Sequence, residues 1–528
     1  VFLADCIFTL GLCGGFRVGI RLLYMQQRTL FNLVTKDERD DDHDGKAPPV
    51  RLLIIGAGDA ASAIIREIQG NARSPYKVVV CVDDDPNKQG YTLLGVTIGG
   101  PISDLPEFAE SFKAAEIIIA LPSVSGDRMR HIVNVCKRTS LPFKTLPSFS
   151  SMIDGRVTVN DLREVNYEDL LGRPPVRLDV REIGQYITGK TVAVTGAGGS
   201  IGTELCRQIV RFKPAALILV EASEFNLYQI EQTLRIEHRF KDLYPAMGRV
   251  QDHALMVRIF DKYRPGVVFH AAACKHVPMV EINPWEAVFN NVIGGRVIMD
   301  VSDAYGVERC VMVSTDKAVR PTSVMGASKR AIEIILQSRP PTHTRFMAVR
   351  FGNVVGSSGS AVPHFQSQIR AGGPVTVTDP EMTRYFMTIP EASQLILQAG
   401  AMGEGGEIFI LEMGTPIKIA DMARDLIRLS GKEPDTDIKI VYTGLRPGEK
   451  LYEELITRGE GIVPTGHEKI MVLRSDRTSA DLAAHHHQVR AQVNELIMAA
   501  QSYDGARVKS LLKQLVPEYT PSDIAGFL

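Results

Sequence analysis

The chain has 528 residues, more than one typical hydrophobic core holds, so two domains with accessory segments are expected. With 60 Lys and Arg against 61 Asp and Glu, its formal charge of -1 excludes a broad basic field for nucleic acid and leaves phosphate binding to local clusters. The 7 cysteines stand singly in mostly apolar surroundings, which excludes a disulfide framework or close-spaced zinc site and reads as reduced, cytosolic domains.

Residues 1–16 are largely apolar, and as a helix they reach about 24 Å, short of the roughly 30 Å of a bilayer core. Because the first residue is Val1, this stretch is expected to be the end of a transmembrane region. Arg17, Arg21 and Arg28 follow it and place the rest on the cytoplasmic side of the cell (inner) membrane. An interfacial amphipathic or partner-packing helix is the alternative, which Asp5 favours. A cleaved signal peptide would carry its charges before the apolar run, not after it. Residues 1–34 are assigned to the membrane end and a juxtamembrane helix, and 35–49 to an acidic linker closed by Pro48 and Pro49. His43 lies in that linker with nothing to fix ligand geometry, so no metal site is assigned there.

Residues 50–148 read as a first α/β domain. A buried strand over 51–55 runs into Gly56-Ala57-Gly58, a helix follows over 60–69, and a second strand over 77–82 ends in Asp83-Asp84-Asp85. A third strand over 116–120 and a helix over 127–138 continue the alternation that gives a doubly wound parallel sheet. The third glycine position of the turn is Ala61, so a nucleotide-like ligand and a purely structural role both remain open for this degenerate domain.

Residues 149–188 connect to a second, larger domain over 189–475. There Thr195-Gly196-Ala197-Gly198-Gly199-Ser200-Ile201-Gly202 is a complete dinucleotide fingerprint between a strand and a helix over 203–212. The glycines allow the tight turn, backbone approach to a pyrophosphate and close helix packing, and the helix N-terminus offers free N–H groups to phosphate. The next strand ends at Glu221, where a carboxylate accepts from a ribose diol and repels a 2'-phosphate, favouring NAD over NADP. Asp252 is expected near the end of the following strand, meeting the adenine edge or standing as a loop carboxylate. A strand over 266–270 then runs into Ala271, Ala272 and Ala273, whose small side chains leave room for a cofactor ribose and nicotinamide. Lys275 and His276 follow, the histidine as catalyst or as structural hydrogen-bonder.

An apolar strand over 310–313 ends in Ser314-Thr315-Asp316-Lys317, and a short loop leads to a helix carrying Met325 and Lys329. This is the layout of a redox site beside a nicotinamide, except that Met325 stands where such sites usually place a tyrosine. Residues 476–528 form a helical tail in which His485-His486-His487 reads as a solvated helix end rather than a metal site, lacking a carboxylate or cysteine partner. The expected fold class is therefore α/β, with two doubly wound parallel-sheet domains in tandem and a smaller C-terminal substrate lobe on the second.

The fingerprint, the alanine run, Ser314-Thr315-Asp316-Lys317 and Lys329 together resemble the extended short-chain dehydrogenase/reductase superfamily. Val220-Glu221-Ala222-Ser223-Glu224-Phe225, Lys275-His276-Val277-Pro278, Arg350-Phe351-Gly352-Asn353, Met382-Thr383-Arg384-Tyr385-Phe386 and Gly444-Leu445-Arg446-Pro447-Gly448-Glu449-Lys450 sharpen the match. These blocks are similar to those of the membrane-anchored nucleotide-sugar 4,6-dehydratases of capsule and glycan biosynthesis.

That resemblance implies a UDP-sugar substrate, usually UDP-N-acetylglucosamine, a bound NAD, membrane attachment through the N-terminal region and, by family habit, a homo-oligomer. It implies that Thr315 hydrogen-bonds the C4 oxygen, that Asp316 is general acid toward the C6 hydroxyl and that Lys329 bonds the nicotinamide ribose. Lys317 is the candidate base for the C5 proton, which requires it to be neutral part of the time through desolvation and the nearby cationic nicotinamide. Met325 cannot take a proton, so the base for the O4 proton stays open among Asp316, Lys317 and a held water. Asn353 and Arg446 are assigned to the UDP diphosphate, with Arg384 as a further contact. A structural ion pair is the alternative for either arginine. A nucleotide-sugar 4-epimerase, which generally needs the missing tyrosine, and a non-catalytic NAD-binding or nucleotide-sugar-binding scaffold are the competing functions.

Overall fold

In the computed structural model, residues 48–71, 74–122, 124–146, 159, 162–173, 176–456, 461–473 and 479–521 are described. The expected membrane end and most of the acidic linker lie outside them. Among the described residues no helix is long and apolar enough to cross a membrane. From Val50 onward the chain makes one compact unit built on two main sheets.

The first sheet is formed by β1 (Val50–Ile55), β2 (Tyr76–Val82), β3 (Glu116–Ile119), β4 (Phe143–Thr145) and β5 (Arg163–Glu164), in the order β2-β1-β3-β4-β5. All pairs are parallel except the last, as crossovers through helices require. The central runs Leu52 to Ile55 and Ile117 to Ile119 are fully buried, because helices cover both faces. Helix α1 (Asp59–Gly70) covers one face and α2 (Gly126–Lys137) the other.

The second sheet contains β6 (Thr191–Thr195), β7 (Ala216–Glu221), β8 (Leu243–Met247), β9 (Val267–His270), β10 (Arg309–Val313), β11 (Arg345–Arg350), β12 (Ile408–Leu411), β13 (Ile462–Pro464) and β14 (Ile470–Leu473). Its order is β8-β7-β6-β9-β10-β11-β12-β14-β13, parallel as far as β12 and antiparallel beyond. The third-second-first-fourth-fifth-sixth order of a dinucleotide-binding sheet is thus present, with its switch point between β6 and β9. Side chains alternate between two cores: Cys310 and Met312 join one and Val311 the other. Helices α3 (Ser200–Arg211) and α5 (Ile389–Met402) pack on the second of these faces, and α4 (Val324–Ser338) on the first. Helix α6 (Ile419–Leu429) belongs to the substrate lobe and shares a core with α2 of the first domain.

Two expectations are corrected at the level of elements. Asp252 is not at a strand end: β8 closes at Met247, and Asp252 is the exposed N-cap of the helix His253–Tyr263, its Oδ1 accepting from the Leu255 N–H at 3.0 Å. His485 to His487 do not end a helix but lie within α7 (Ser479–Gln501), which packs with α8 (Gly505–Leu515) over the core that contains α4.

Candidate active site

The cofactor end of the site is set by backbone geometry. Gly196 has φ +66°, and a Cβ on Gly202 would stand 2.0 Å from the Gly196 carbonyl oxygen, so only glycine permits α3 to start this close to β6. The N-cap of α3 is Gly199 and makes no side-chain cap, which leaves its first N–H groups free for an anion. A Cβ on Gly198 would meet Asn226 at 2.5 Å. Glu221 reaches this turn from the end of β7: its Oε2 accepts from the Gly198 N–H at 3.0 Å and its Oε1 from Ala222 and Ser223 N–H. The residues present therefore fit a dinucleotide, with Ser200 and Ile201 opening the helix, whose Ser200 Oγ also accepts from the Ser358 N–H.

At the switch point Thr195 Oγ1 and His270 Nδ1 lie 2.7 Å apart, and burial, helped by Lys329, pushes the His270 imidazole down to about 3, so it is neutral. Residues 271–274 run on past it toward the cofactor face. Asn291 holds this run: its Oδ1 accepts from the Cys274 N–H at 2.8 Å, and its Nδ2 donates to Cys274 O and to Ser328 Oγ on α4. Lys329 lies on the same helix, donates to the Val313 carbonyl at 2.9 Å and is pushed down to about 8 by burial.

Strand β10 ends inside the catalytic cluster. Ser314 Oγ donates to Glu333 Oε1 at 2.7 Å, and Arg350 grips the same carboxylate through two bonds of 2.8 and 2.7 Å. Burial pushes Glu333 upward, but Arg350, Arg330 and the Ser314 hydroxyl outweigh it and hold the carboxyl below its usual range. This lock fixes where Thr315 and Asp316 begin. Thr315 Oγ1 donates to Asp316 Oδ1 at 3.0 Å, and Lys317 Nζ donates to the same oxygen at 3.0 Å and to Asn353 Oδ1 at 3.3 Å. Asp316 is fully buried and its Oδ2 has no hydrogen-bond partner among the described residues. Burial raises its pKa, Lys317 opposes that, and Glu453 adds to it, so this carboxyl takes up a proton more readily than a free aspartate.

Lys317 departs from expectation. Burial alone would favour the neutral amine, but Asp316 and Glu453 outweigh it and raise the pKa above the ordinary lysine value. Glu453 Oε1 stands 3.5 Å from Lys317 Nζ and 3.5 Å from Arg384 Nε. At rest Lys317 is an ammonium held between two carboxyl groups, and desolvation does not make it a free base.

A cleft of about 760 Å³ opens beside this cluster and is lined by Lys275, His276, Lys317, Asn353, Arg384 and Arg446 among others. Residues far apart in sequence, all counted toward the substrate end, thus share one wall system. Their donors are not equally free. Arg384 gives its guanidinium to the carbonyls of Thr383, Lys450 and Leu451 and to Glu453, so it organises the lobe rather than presenting an open fork. Asn353 donates to Tyr385 O and accepts from Lys317. Arg446 is exposed and among the described residues pairs locally with Glu449, a contact a phosphate competes with readily. His276 packs against Gly359, and burial together with Lys275 and Arg446 lowers its pKa. Met325, in the first turn of α4, is buried in the core, where its thioether fills space. Among the described residues no group of three His, Cys, Asp or Glu is arranged to hold a metal ion.

The sequence reading missed Glu453, Glu333 and Asn291. Glu333 was accessible, because it stands four residues after Lys329 on one helical face. Glu453 lies just beyond the Arg446 block, and nothing in local spacing says that this segment folds back onto Lys317.

The family model for polysaccharide biosynthesis proteins matches residues 192–475, which run from β6 to just beyond β14 and include both the glycine turn and the cleft. This chain belongs to that polysaccharide biosynthesis family. Sheet order, site blocks and relatives make it an extended short-chain dehydrogenase/reductase of the nucleotide-sugar dehydratase group. Within the family it is 46% identical over 437 residues to the capsular polysaccharide biosynthesis protein CapD of Staphylococcus aureus, covering 81% of this chain and 73% of that one. It is 34% identical over 276 residues to a UDP-N-acetylglucosamine 4,6-dehydratase (inverting) of Campylobacter jejuni, covering 51% and 78%. The solved structure of Pen from Bacillus thuringiensis is 32% identical and superposes with a TM-score of 0.51 over 55% of this chain and 91% of that one. A CoA-binding domain model matches residues 7–147.

Proposed function

We propose that this family member is an NAD-dependent UDP-N-acetylglucosamine 4,6-dehydratase. The observation that carries the reading is the buried Asp316–Lys317 pair at the end of β10: a fully buried carboxyl hydrogen-bonded to a lysine that lines a cleft of nucleotide-sugar size. NAD held on the α3 turn would supply the hydride acceptor for C4 and the hydride donor for C6. Thr315 hydrogen-bonds the C4 oxygen, Lys317 takes the C5 proton made acidic by the new ketone, and Asp316 protonates the departing C6 hydroxyl. The proton leaving O4 as C4 is oxidised passes to the Asp316 carboxylate, which then delivers it to the departing C6 hydroxyl, so the balance is loss of one water. Lys329 orients the nicotinamide ribose, and Arg446 meets the diphosphate after releasing Glu449.

Met325 supports this reading over a 4-epimerase, since the latter generally relies on the tyrosine that Met325 replaces and gives Lys317 no task. A silent scaffold would not need the unpartnered Asp316 Oδ2, an arrangement that is costly in a buried site without chemistry to use it. Insertion in the cell (inner) membrane, multi-pass with the catalytic domains in the cytoplasm, and homo-oligomerisation belong to the same proposal. The test is to incubate the protein with NAD and UDP-N-acetylglucosamine and identify the product by NMR. A 4-keto-6-deoxy sugar nucleotide is expected, and a C4 epimer would overturn the assignment.

A further inference from the structure

Lys317 poses a chemical problem that the cleft itself answers. As an ammonium it cannot remove the C5 proton, so it must first give a proton away. Asp316 cannot receive it, because it is committed to the O4 proton that it passes on to the C6 hydroxyl. Asn353 Oδ1 accepts a hydrogen bond from Lys317 but is too weak a base to take a proton. The other group at the ammonium is Glu453, whose side chain is only 3% exposed and whose Oε1 lies 3.5 Å from Nζ. Its Oε2 is buried without a hydrogen-bond partner among the described residues. A glutamate present only to anchor Arg384 and Lys317 would have both oxygens satisfied, whereas a carboxyl that alternates between charged and neutral forms needs an oxygen able to carry the proton.

We propose that Glu453 is the proton partner of Lys317: it accepts a proton from the ammonium when substrate fills the cleft and returns it at the end of the cycle. This rests on the dehydratase reading above. In balance, the N–H bond of Lys317 breaks as the O–H bond of Glu453 forms, the resulting amine takes the C5 proton and later gives one back to C5, and Glu453 restores the ammonium. No further reactant is needed. Glu453 acts through Lys317 rather than on the sugar. The charged groups facing it are Asp316, Lys317, Arg384 and Lys450.

The test compares the parent with Glu453→Gln and Glu453→Asp for turnover and for C5 exchange with deuterated water, from pH 6 to 10, roughly the span between histidine and lysine ionisation. For Glu453→Gln the expected result is a loss of about 100-fold near neutrality, recovering as pH rises, because Lys317 must now lose its proton to solvent. Glu453→Asp, which keeps the carboxylate and guards against a folding failure of the amide, is expected to be slower but with the parent's pH profile. Turnover of Glu453→Gln within about threefold of the parent, or an equal loss at every pH, would overturn the proposal. So would a recovery at high pH in Glu453→Asp. If the parent itself forms no 4-keto-6-deoxy product, the dehydratase reading fails instead.

Discussion

At the scale of single residues, the site is a set of buried charges whose protonation is decided by neighbours. Met325 shows how a departure from the usual pattern is to be read. Because it is buried in the core from the first turn of α4, Met325→Tyr is expected to cost about 1–3 kcal/mol of stability through overpacking while keeping the fold and some activity. Thermal melting and turnover check this, and a gain of about 100-fold would show that the natural site lacks an adequate O4 base. Lys329 gives a second prediction. Its pKa of about 8 in the fold lies below the 10.5 of a free lysine, so between those values the unfolded chain binds more protons, and this group makes stability rise with pH. Urea midpoints measured across that range are expected to climb more steeply in the parent than in Lys329→Met. Identities such as Thr315, Asp316 and Lys317 were legible in sequence because they are contiguous. The charge state of Lys317 was not, because it depends on Glu453, brought in from 136 positions away.

At the scale of elements, the glycine turn was the most legible feature, since strand, turn and helix are consecutive and each glycine answers a local steric demand. Gly202→Ala places a methyl 2.0 Å from the Gly196 carbonyl oxygen. The backbone must move, so NAD binding is expected to fall by at least about tenfold, with destabilisation of about 1–3 kcal/mol, checked by calorimetric titration and melting. The acids at the strand ends were legible by position, but their partners were not. Glu221 accepts from the Gly198 N–H, and Asp83 in the first domain accepts in the same way from the Ala57 N–H at 2.7 Å. Asp252 failed as a strand-end residue because an Asp three residues before a helical N–H is a cap, and the cap prevailed over the expected strand.

At the scale of the whole molecule, the two sheets are bound into one unit by contacts that no local pattern announces. Arg130 on α2 pairs with Asp425 on α6 at 2.9 Å, and Arg173 in the connector donates to Glu391 at the start of α5 and to the Glu412 carbonyl. Arg173 is largely buried, but Lys469 also reaches Glu391 at 3.1 Å, so part of the compensation survives its loss. Arg173→Met is therefore expected to destabilise by about 2 kcal/mol, less than the removal of an unshared buried partner, with the shift visible in chemical unfolding. Alternating strands and helices made both sheets predictable as separate objects. Their union through α2, α6 and the connector depends on side chains hundreds of positions apart, and sequence spacing carries no record of it.

These scales meet in one claim, that the cluster at the end of β10 moves a proton on and off C5 of a UDP-sugar. The direct measurement is to run the reaction with UDP-N-acetylglucosamine in deuterated water and examine the product by NMR. The account predicts a 4-keto-6-deoxy product carrying solvent deuterium at C5, lost in Lys317→Met. A C4 epimer with hydrogen retained at C5, or tight NAD binding with no turnover, would contradict it.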